Sequence, residues 1–249
     1  MRWVSVPDRQ RDVGCLSVVV PCFNEVDHIA ECIARVLDEP CVREVLVVDD
    51  GSVDGTAEVL TNLRDPRIHV YTHRQNRGKG AALRTGFAAV TGEFVVVQDS
   101  DLEQNPSDYE LMLAPLLTGQ AAVVYGSRFP ERRRLPGQYI AHYLANRFLT
   151  MLSNLRTGLH LTDMETGYKM FRREVLDGLT IEEDRFGVEP ELTAKIARAG
   201  WRLVEIPVTY APRKFNTGKK IGWRDGVRAV WCILRYPRRQ RFVHRGRQD

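Results

Sequence analysis

A mainly parallel, Rossmann-like α/β sheet with helices on both faces is the architecture this sequence predicts, and three observations lead there. Short, wholly apolar, β-branched runs recur through the first hundred residues, each about as long as one strand buried on both faces. Between them lie segments with apolar residues at helical spacing. Three of the four runs end in polar clusters, two of them rich in carboxylates, and ligands of open parallel sheets sit beyond the carboxyl ends of the strands.

The first strand covers 16–21. Asn24 then offers a cap for a helix over about 26–37, with Ile29, Ile33 and Val36 on one face. Residues 45–48 form the second strand, which ends in Asp49-Asp50-Gly51-Ser52. A short helix at 56–63 leads to a third strand at 68–72. Residues 80–90 are helical, and a fourth strand at 94–97 runs into Asp99-Ser100-Asp101. Strand and helix alternating at this spacing place helices on both faces of the sheet. The second half is looser. It holds a strand at 121–125, Gly126-Ser127-Arg128, an arginine-rich loop at 131–137 and a helix at 138–155 through Ile140, Leu144, Phe148 and Leu152. An extended pair, Met170 and Phe171, a helix at 190–199 and a late strand at 203–206 follow. With no internal repeat, the simplest division is an extension over 1–14, one α/β domain over 15–220, and an amphipathic helix with a basic tail over 221–249.

The 249 residues carry 36 Lys and Arg against 32 Asp and Glu, a net +4 that hides a segregation. From residue 213 to the end there are 12 Lys and Arg against two acids, Asp225 and Asp249, which leaves 24 against 30 in residues 1–212. Such a tail suits an anionic partner. An apolar content of 43% with 27% charged residues excludes a disordered or collagen-like chain. No apolar run approaches the ~20 residues of a membrane span, and the N-terminal residues lack the apolar core of a signal peptide. Five cysteines without a Cys-x-x-Cys pair argue against a zinc site and for the reduced thiols of a cytosolic protein. In the tail, Trp223, Val227, Val230, Trp231 and Leu234 recur at helical spacing with Arg224, Arg228 and Arg235 opposite. That pattern fits a helix lying on a membrane surface, and equally one that packs its tryptophans onto its own domain.

The acidic clusters carry the chemistry. Two carboxylates one residue apart at a strand's end, Asp99 and Asp101, can share a hard divalent cation, with Glu103 close enough to join. The same pattern also occurs in ordinary loops. Asp49-Asp50-Gly51-Ser52 reads both as a helix-capping turn and, through Asp50, as an acceptor for a nucleotide base or ribose. Gly78-Lys79-Gly80 lacks the pattern of a phosphate loop, and its glycines suit a tight approach at the start of a helix. Glu189 and Glu191 flank Pro190 at a helix start, where acids favour the dipole as readily as they serve catalysis. The histidines show no ligand spacing.

Taken in order, these residues resemble the family 2 glycosyltransferases: Leu16 to Glu25, then Val47-Val48-Asp49-Asp50-Gly51-Ser52, Asn76-Arg77-Gly78-Lys79-Gly80 and Asp99-Ser100-Asp101. More narrowly, Gly126-Ser127-Arg128 and Asp163-Met164-Glu165-Thr166-Gly167-Tyr168-Lys169 resemble the dolichyl- and polyprenyl-phosphate sugar transferases. The resemblance spans about residues 15–236. It implies the GT-A fold, a nucleotide-sugar donor of the UDP-glucose or GDP-mannose type, Mg²⁺ or Mn²⁺, and inversion at the anomeric carbon. Carried over by motif, Pro21, Phe23, Glu25, Val48 and Asp50 would hold the base and ribose, with Phe23 standing where the family more often has Tyr. Lys79, Asp99, Ser100 and Asp101 would face the donor. Asp99, Asp101 and Glu103 would address the metal, although many relatives carry Gln at the Glu103 position. Arg128 would contact donor phosphate or sugar, and Arg213, Lys219 and Lys220 would bind phosphates.

The expected catalytic set is Asp101, Arg128 and Asp163. A leaving nucleoside diphosphate gathers negative charge, which a metal and arginine stabilise. An acceptor lipid phosphate is already ionised and needs little help from a base, whereas a hydroxyl acceptor would need Asp163 or Glu165 to take its proton. The sequence therefore predicts hexose transfer to polyprenyl phosphate by a cytoplasmic protein, peripheral at the inner face of a membrane and free to self-associate. Its relatives often add membrane spans beyond this point, and none is expected here. The alternatives are the same donor chemistry with a hydroxyl acceptor and Asp163 as base, and nucleic-acid binding through the basic tail. No nucleic-acid partner is expected, because the tail holds no recognition module.

Overall fold

The computed structural model describes residues 14–129, 140–212 and 223–236. The expected phosphate-binding residues Arg213, Lys219 and Lys220, the arginine-rich loop and the 1–13 extension lie outside them. In chain order the elements are β1 (Leu16–Cys22), α1 (Ile29–Leu37), β2 (Val42–Asp49), α2 (Thr56–Asn62), β3 (Ile68–Thr72), α3 (Lys79–Phe87), β4 (Phe94–Val97) and α4 (Tyr109–Leu117). They continue with β5 (Val123–Ser127), α5 (Ile140–Thr157), β6 (Lys169–Arg172), α6 (Arg173–Asp177), α7 (Val188–Ala199), β7 (Leu203–Pro207) and α8 (Trp223–Arg235).

Seven strands form one sheet in the order β3-β2-β1-β4-β6-β5-β7. The first four are mutually parallel, as the apolar runs predict. Alternation along them divides the core in two. Val18, Val20, Val45, Val47 and Val96 face α1 and α4 through Ile29, Ile33, Val36, Met112 and Leu116. Val19, Leu46, Val95 and Val97 face Leu83 of α3 and Val188, Leu192 and Ile196 of α7. On this second face Gly86 lies directly against the Val19 side chain, where a Cβ would collide.

β6 runs antiparallel to both of its neighbours. A reversed strand presents its beginning where the others end, so residues 163–168, which precede Lys169, arrive at the carboxyl edge beside Asp99.

One expectation needs correction. Asn24 does not cap α1, which starts at Ile29 after His28. Instead Asn24 adopts a left-handed conformation at φ 53°, which asparagine tolerates better than most residues. Its Oδ1 accepts from the Val53 amide at 2.9 Å, so it ties the end of β1 to the loop after β2. Of the two outcomes its spacing allows, the helix α8 packs on its own domain, against α5 and α7. Its Ala229, Cys232, Ile233 and Tyr236 are buried, while Val227, Trp231 and Leu234 point outward. No helix among the described residues is long and apolar enough to cross a membrane.

Candidate active site

The carboxyl ends of β1, β2 and β4 meet at one edge. Pro21 lends its carbonyl to the Ser100 hydroxyl at 3.2 Å, which joins the first strand to the Asp99–Asp101 turn. Glu25 is nearly buried, its backbone amide bound to Thr56 Oγ1 at 2.9 Å and its carboxylate 3.2 Å from His28. Phe23 is half-buried beside it. Val48, expected to touch the donor, is completely buried within β2 and offers a ligand no surface.

Asp50 is committed to the loop that follows β3. It accepts from His73 Nδ1 at 2.6 Å, from the Arg77 amide at 3.0 Å and from the Gly78 amide at 2.6 Å. His73, set aside for want of ligand spacing, is thus the clamp on this carboxylate. Gly78 sits at φ 104° with no room for a Cβ against Asp184 and Arg185, a conformation that favours glycine.

The Asp99-Ser100-Asp101 turn divides its two carboxylates. Asp99 Oδ1 lies 2.7 Å from Lys79 Nζ, and its Oδ2 accepts from Gln104 at 3.1 Å. Asp101 Oδ1 accepts from the Glu103 amide at 3.1 Å, across Leu102 at φ 62°. Glu103 in turn takes the Tyr210 hydroxyl at 2.5 Å. Asp99 therefore pairs with a lysine, and among the described residues no three His, Cys, Asp or Glu side chains converge as a metal cage. All three members of the expected metal trio, Asp99, Asp101 and Glu103, line one cleft with Arg128, with Asp99 also held by Lys79. Hard carboxylate oxygens with diphosphate oxygens added make a shell suited to Mg²⁺ or Mn²⁺.

Thr166, Gly167 and Tyr210 line the same cleft. Arg128 is fixed at its wall by Asp163 in a bidentate pair, Nε to Oδ2 at 2.7 Å and NH2 to Oδ1 at 2.8 Å. The Arg128 backbone amide and Asn146 of α5 donate to the same carboxylate. Burial alone would raise the Asp163 pKa, but Arg128 and these hydrogen bonds outweigh it and hold the group below the usual carboxylate range. Tyr210 stacks its ring 5.4 Å from the guanidinium carbon. Glu205 of β7 accepts from the Thr162 and Asp163 amides, which sets the loop itself.

Beneath the cleft lies a buried network that local sequence does not announce. Glu189 stands in the first turn of α7, as expected, and is buried there. It sits 3.1 Å from Lys79 and 2.6 Å from Lys169, and both lysines are enclosed. Burial opposes the charge on Lys79, but Asp99 and Glu189 overcome it and hold its pKa above the ordinary lysine range. For Lys169 burial wins over Glu189, and its pKa falls. Glu165, buried beside them, is pushed up to about 7 by burial and by the Glu189 charge. Glu191 accepts from the Glu182 and Glu183 amides and pairs with Lys195.

A carboxyl-edge cleft of this kind, with an acidic turn facing a clamped arginine, suits an anionic ligand held at the ends of the strands. Residues 17–180 match the family model for glycosyl transferase family 2, and the chain belongs to that family. It is 30% identical over 225 residues to an undecaprenyl-phosphate mannosyltransferase of Micrococcus luteus, across 85% of this chain and 90% of the relative. It is 29% identical to a polyprenol monophosphomannose synthase of Mycolicibacterium smegmatis, across 82% and 80%. Among solved structures, glucosyl-3-phosphoglycerate synthase from Mycobacterium tuberculosis, bound to Mn²⁺, UDP and phosphoglyceric acid, superposes with a TM-score of 0.66 at 25% identity. The match covers 88% of this chain and 77% of that one. The fold is GT-A, and the protein is a glycosyltransferase.

Proposed function

We propose that this glycosyltransferase moves a hexose from a nucleotide diphosphate sugar to a polyprenyl phosphate, with inversion and with a divalent metal. The observation that carries the acceptor choice is the Arg128–Asp163 pair. Asp163 is fully buried and spends its lone pairs on Arg128, on Asn146 and on a backbone amide. A carboxylate so engaged is a poor proton acceptor, and an ionised phosphate acceptor needs none. The polyprenyl-phosphate relatives support the same acceptor, and the Mn²⁺- and UDP-bound neighbour supports a metal and a nucleotide donor.

In this reading Arg128, aimed and neutralised by Asp163, faces the charge that develops as the nucleoside diphosphate departs. Asp101, with Glu103, would hold the metal, which supplies further positive charge to the leaving phosphates. Asp99, Lys79 and Glu189 keep the turn in place from behind. Pro21, Phe23, Glu25 and Ser100 stand where a donor would lie, and Asp50 acts one step back by fixing residues 77 and 78. Arg213, Lys219 and Lys220 remain assigned to phosphate contact, and the 221–249 tail to the membrane surface that carries the lipid.

Thermal unfolding with UDP- and GDP-sugars, each with and without Mn²⁺, tests the donor, since a ligand that binds the native state raises its stability. One nucleotide should raise Tm, more so with Mn²⁺, and Asp101→Ala should abolish the metal increment. Transfer to polyprenyl phosphate but not to the free polyprenol should follow. Equal transfer to the alcohol, or full activity in Asp101→Ala, would overturn the reading.

A further inference from the structure

Among the described residues, seven large apolar side chains on α5 and α8 are exposed, and they fall into two stripes. On α5, Leu144, Phe148, Met151 and Leu155 are 53–63% exposed, at the i, i+4, i+7, i+11 spacing of a single helix face. On α8, Val227, Trp231 and Leu234 are 41–60% exposed at i, i+4, i+7. The two helices pack together, and Arg156 of α5 reaches the Leu234 carbonyl at 3.4 Å, which brings the Leu155 end of one stripe beside the Leu234 end of the other. Contiguous exposed apolar area of this kind marks an interaction surface.

Charge selects the occupant. Ile140–Thr157 and Trp223–Arg235 together contain one acid, Asp225, against Arg147, Arg156, Arg224, Arg228 and Arg235. Arg228 and Arg235 pair with Glu183 and Glu182 and cover the Trp231 ring, while Arg147 and Arg156 donate to backbone carbonyls and have no carboxylate partner among the described residues. A second copy laid on this face would set arginine against arginine. An anionic bilayer would take the apolar stripes into its interface and the arginines among its headgroups.

The geometry points to α5 and α8 as one two-helix face that docks on an anionic lipid surface, with α5 carrying the contact to the catalytic arginine. The stripe on α5 lies opposite its Asn146 and Thr150. Asn146 donates to Asp163 at 2.8 Å, and Thr150 bonds both Asn146 and the Met164 amide. One helix thus touches the lipid surface with one face and the Arg128–Asp163 pair with the other. This rests on the polyprenyl-phosphate reading for its purpose, though not for its binding.

Two double variants test it, Leu144→Gln with Phe148→Gln on α5 and Val227→Gln with Leu234→Gln on α8. All four residues are exposed, so the fold is spared. The full chain should cosediment with phosphatidylcholine vesicles containing one-third phosphatidylglycerol, and far less with phosphatidylcholine alone or at high salt. Either pair should weaken that binding about tenfold. Turnover on vesicle-borne polyprenyl phosphate should fall with it, while turnover on a short, water-soluble isoprenoid phosphate stays unchanged. Wild-type vesicle binding by the α5 pair would overturn the proposal. So would a solution dimer that either pair dissociates, since the face would then be a subunit interface. Vesicle binding as expected with neither acceptor glycosylated would sink the polyprenyl-phosphate reading and leave the docking face standing.

Discussion

Lys79 holds Asp99 from inside the protein, Nζ to Oδ1 at 2.7 Å, and shares its charge with Glu189 at 3.1 Å. The first carboxylate of the acidic turn is thereby held by a lysine, while it lines the cleft together with the second. Replacing Lys79 with Met removes the cation beside Asp99 and leaves Glu189 with Lys169 alone. Breaking a buried pair costs about 3–5 kcal/mol, and with Asp99 26% exposed the loss should be nearer about 2 kcal/mol in urea unfolding. Lys79→Met with Asp99→Asn should recover part of it; no recovery would show that the pair is not coupled.

Asp163 as a positioning residue and Asp163 as a base predict different pH profiles. Asp163→Asn frees Arg128 and should lower kcat/KM about a hundredfold without removing the acidic limb of the rate profile. Loss of that limb, with the remaining rate independent of pH, would return the residue to the role of base. Asp163→Glu, which keeps the charge, should restore part of the rate.

Glu165 gives the fold a dependence on pH opposite to that of a salt-bridged acid. Its native pKa is about 7 and its ordinary value 4.5, so between these the native state holds a proton that the unfolded chain has released. Stability then falls as pH rises from about 4.5 through 7 and levels off above, by up to about 3 kcal/mol. Glu165→Gln should flatten that decline and be the more stable protein at alkaline pH. Denaturant titrations across the range check both statements.

Asp50 anchors residues 77 and 78 through both carboxylate oxygens. In Asp50→Asn one oxygen must serve where two did, and the nucleotide-free protein should lose about 1–2 kcal/mol. An unchanged midpoint without ligand, together with weaker nucleotide binding, would mean that the carboxylate acts on the donor directly.

The parallel half of the sheet was legible because each strand is a continuous apolar run, and buried parallel strands have little other way to be written. The carboxyl-edge position of Asp50, Asp99 and Asp101 followed from it. The direction of β6 did not, because four residues, Lys169 to Arg172, carry no mark of which way they run. Nor did the partners of Asp99, Asp163 and Glu189. Lys79 and Glu189 are far apart in sequence, and pairing at that separation leaves no local period. His73 escaped for the same reason, since its partner Asp50 is brought to it by the register of β2 with β3. The outward apolar faces of α5 and α8 show the reverse failure. Their spacing reads as an ordinary core stripe, and only the finished packing reveals which side was left uncovered.

Residues 181–185 lie between the donor side and α8, touching both. Asp184 accepts from the Ala81 amide at 3.0 Å, and Gly78 and Gly80 bring their backbones so close to 183–185 that no side chain fits between. From the other flank Glu183 and Glu182 grip Arg228 and Arg235. The start of α3, beside Lys79, and α8 are therefore joined through one short spacer that touches both. Lengthening that spacer by one residue would uncouple the outer helix from the acidic turn while leaving each intact, a mechanical separation that no point substitution in either could produce.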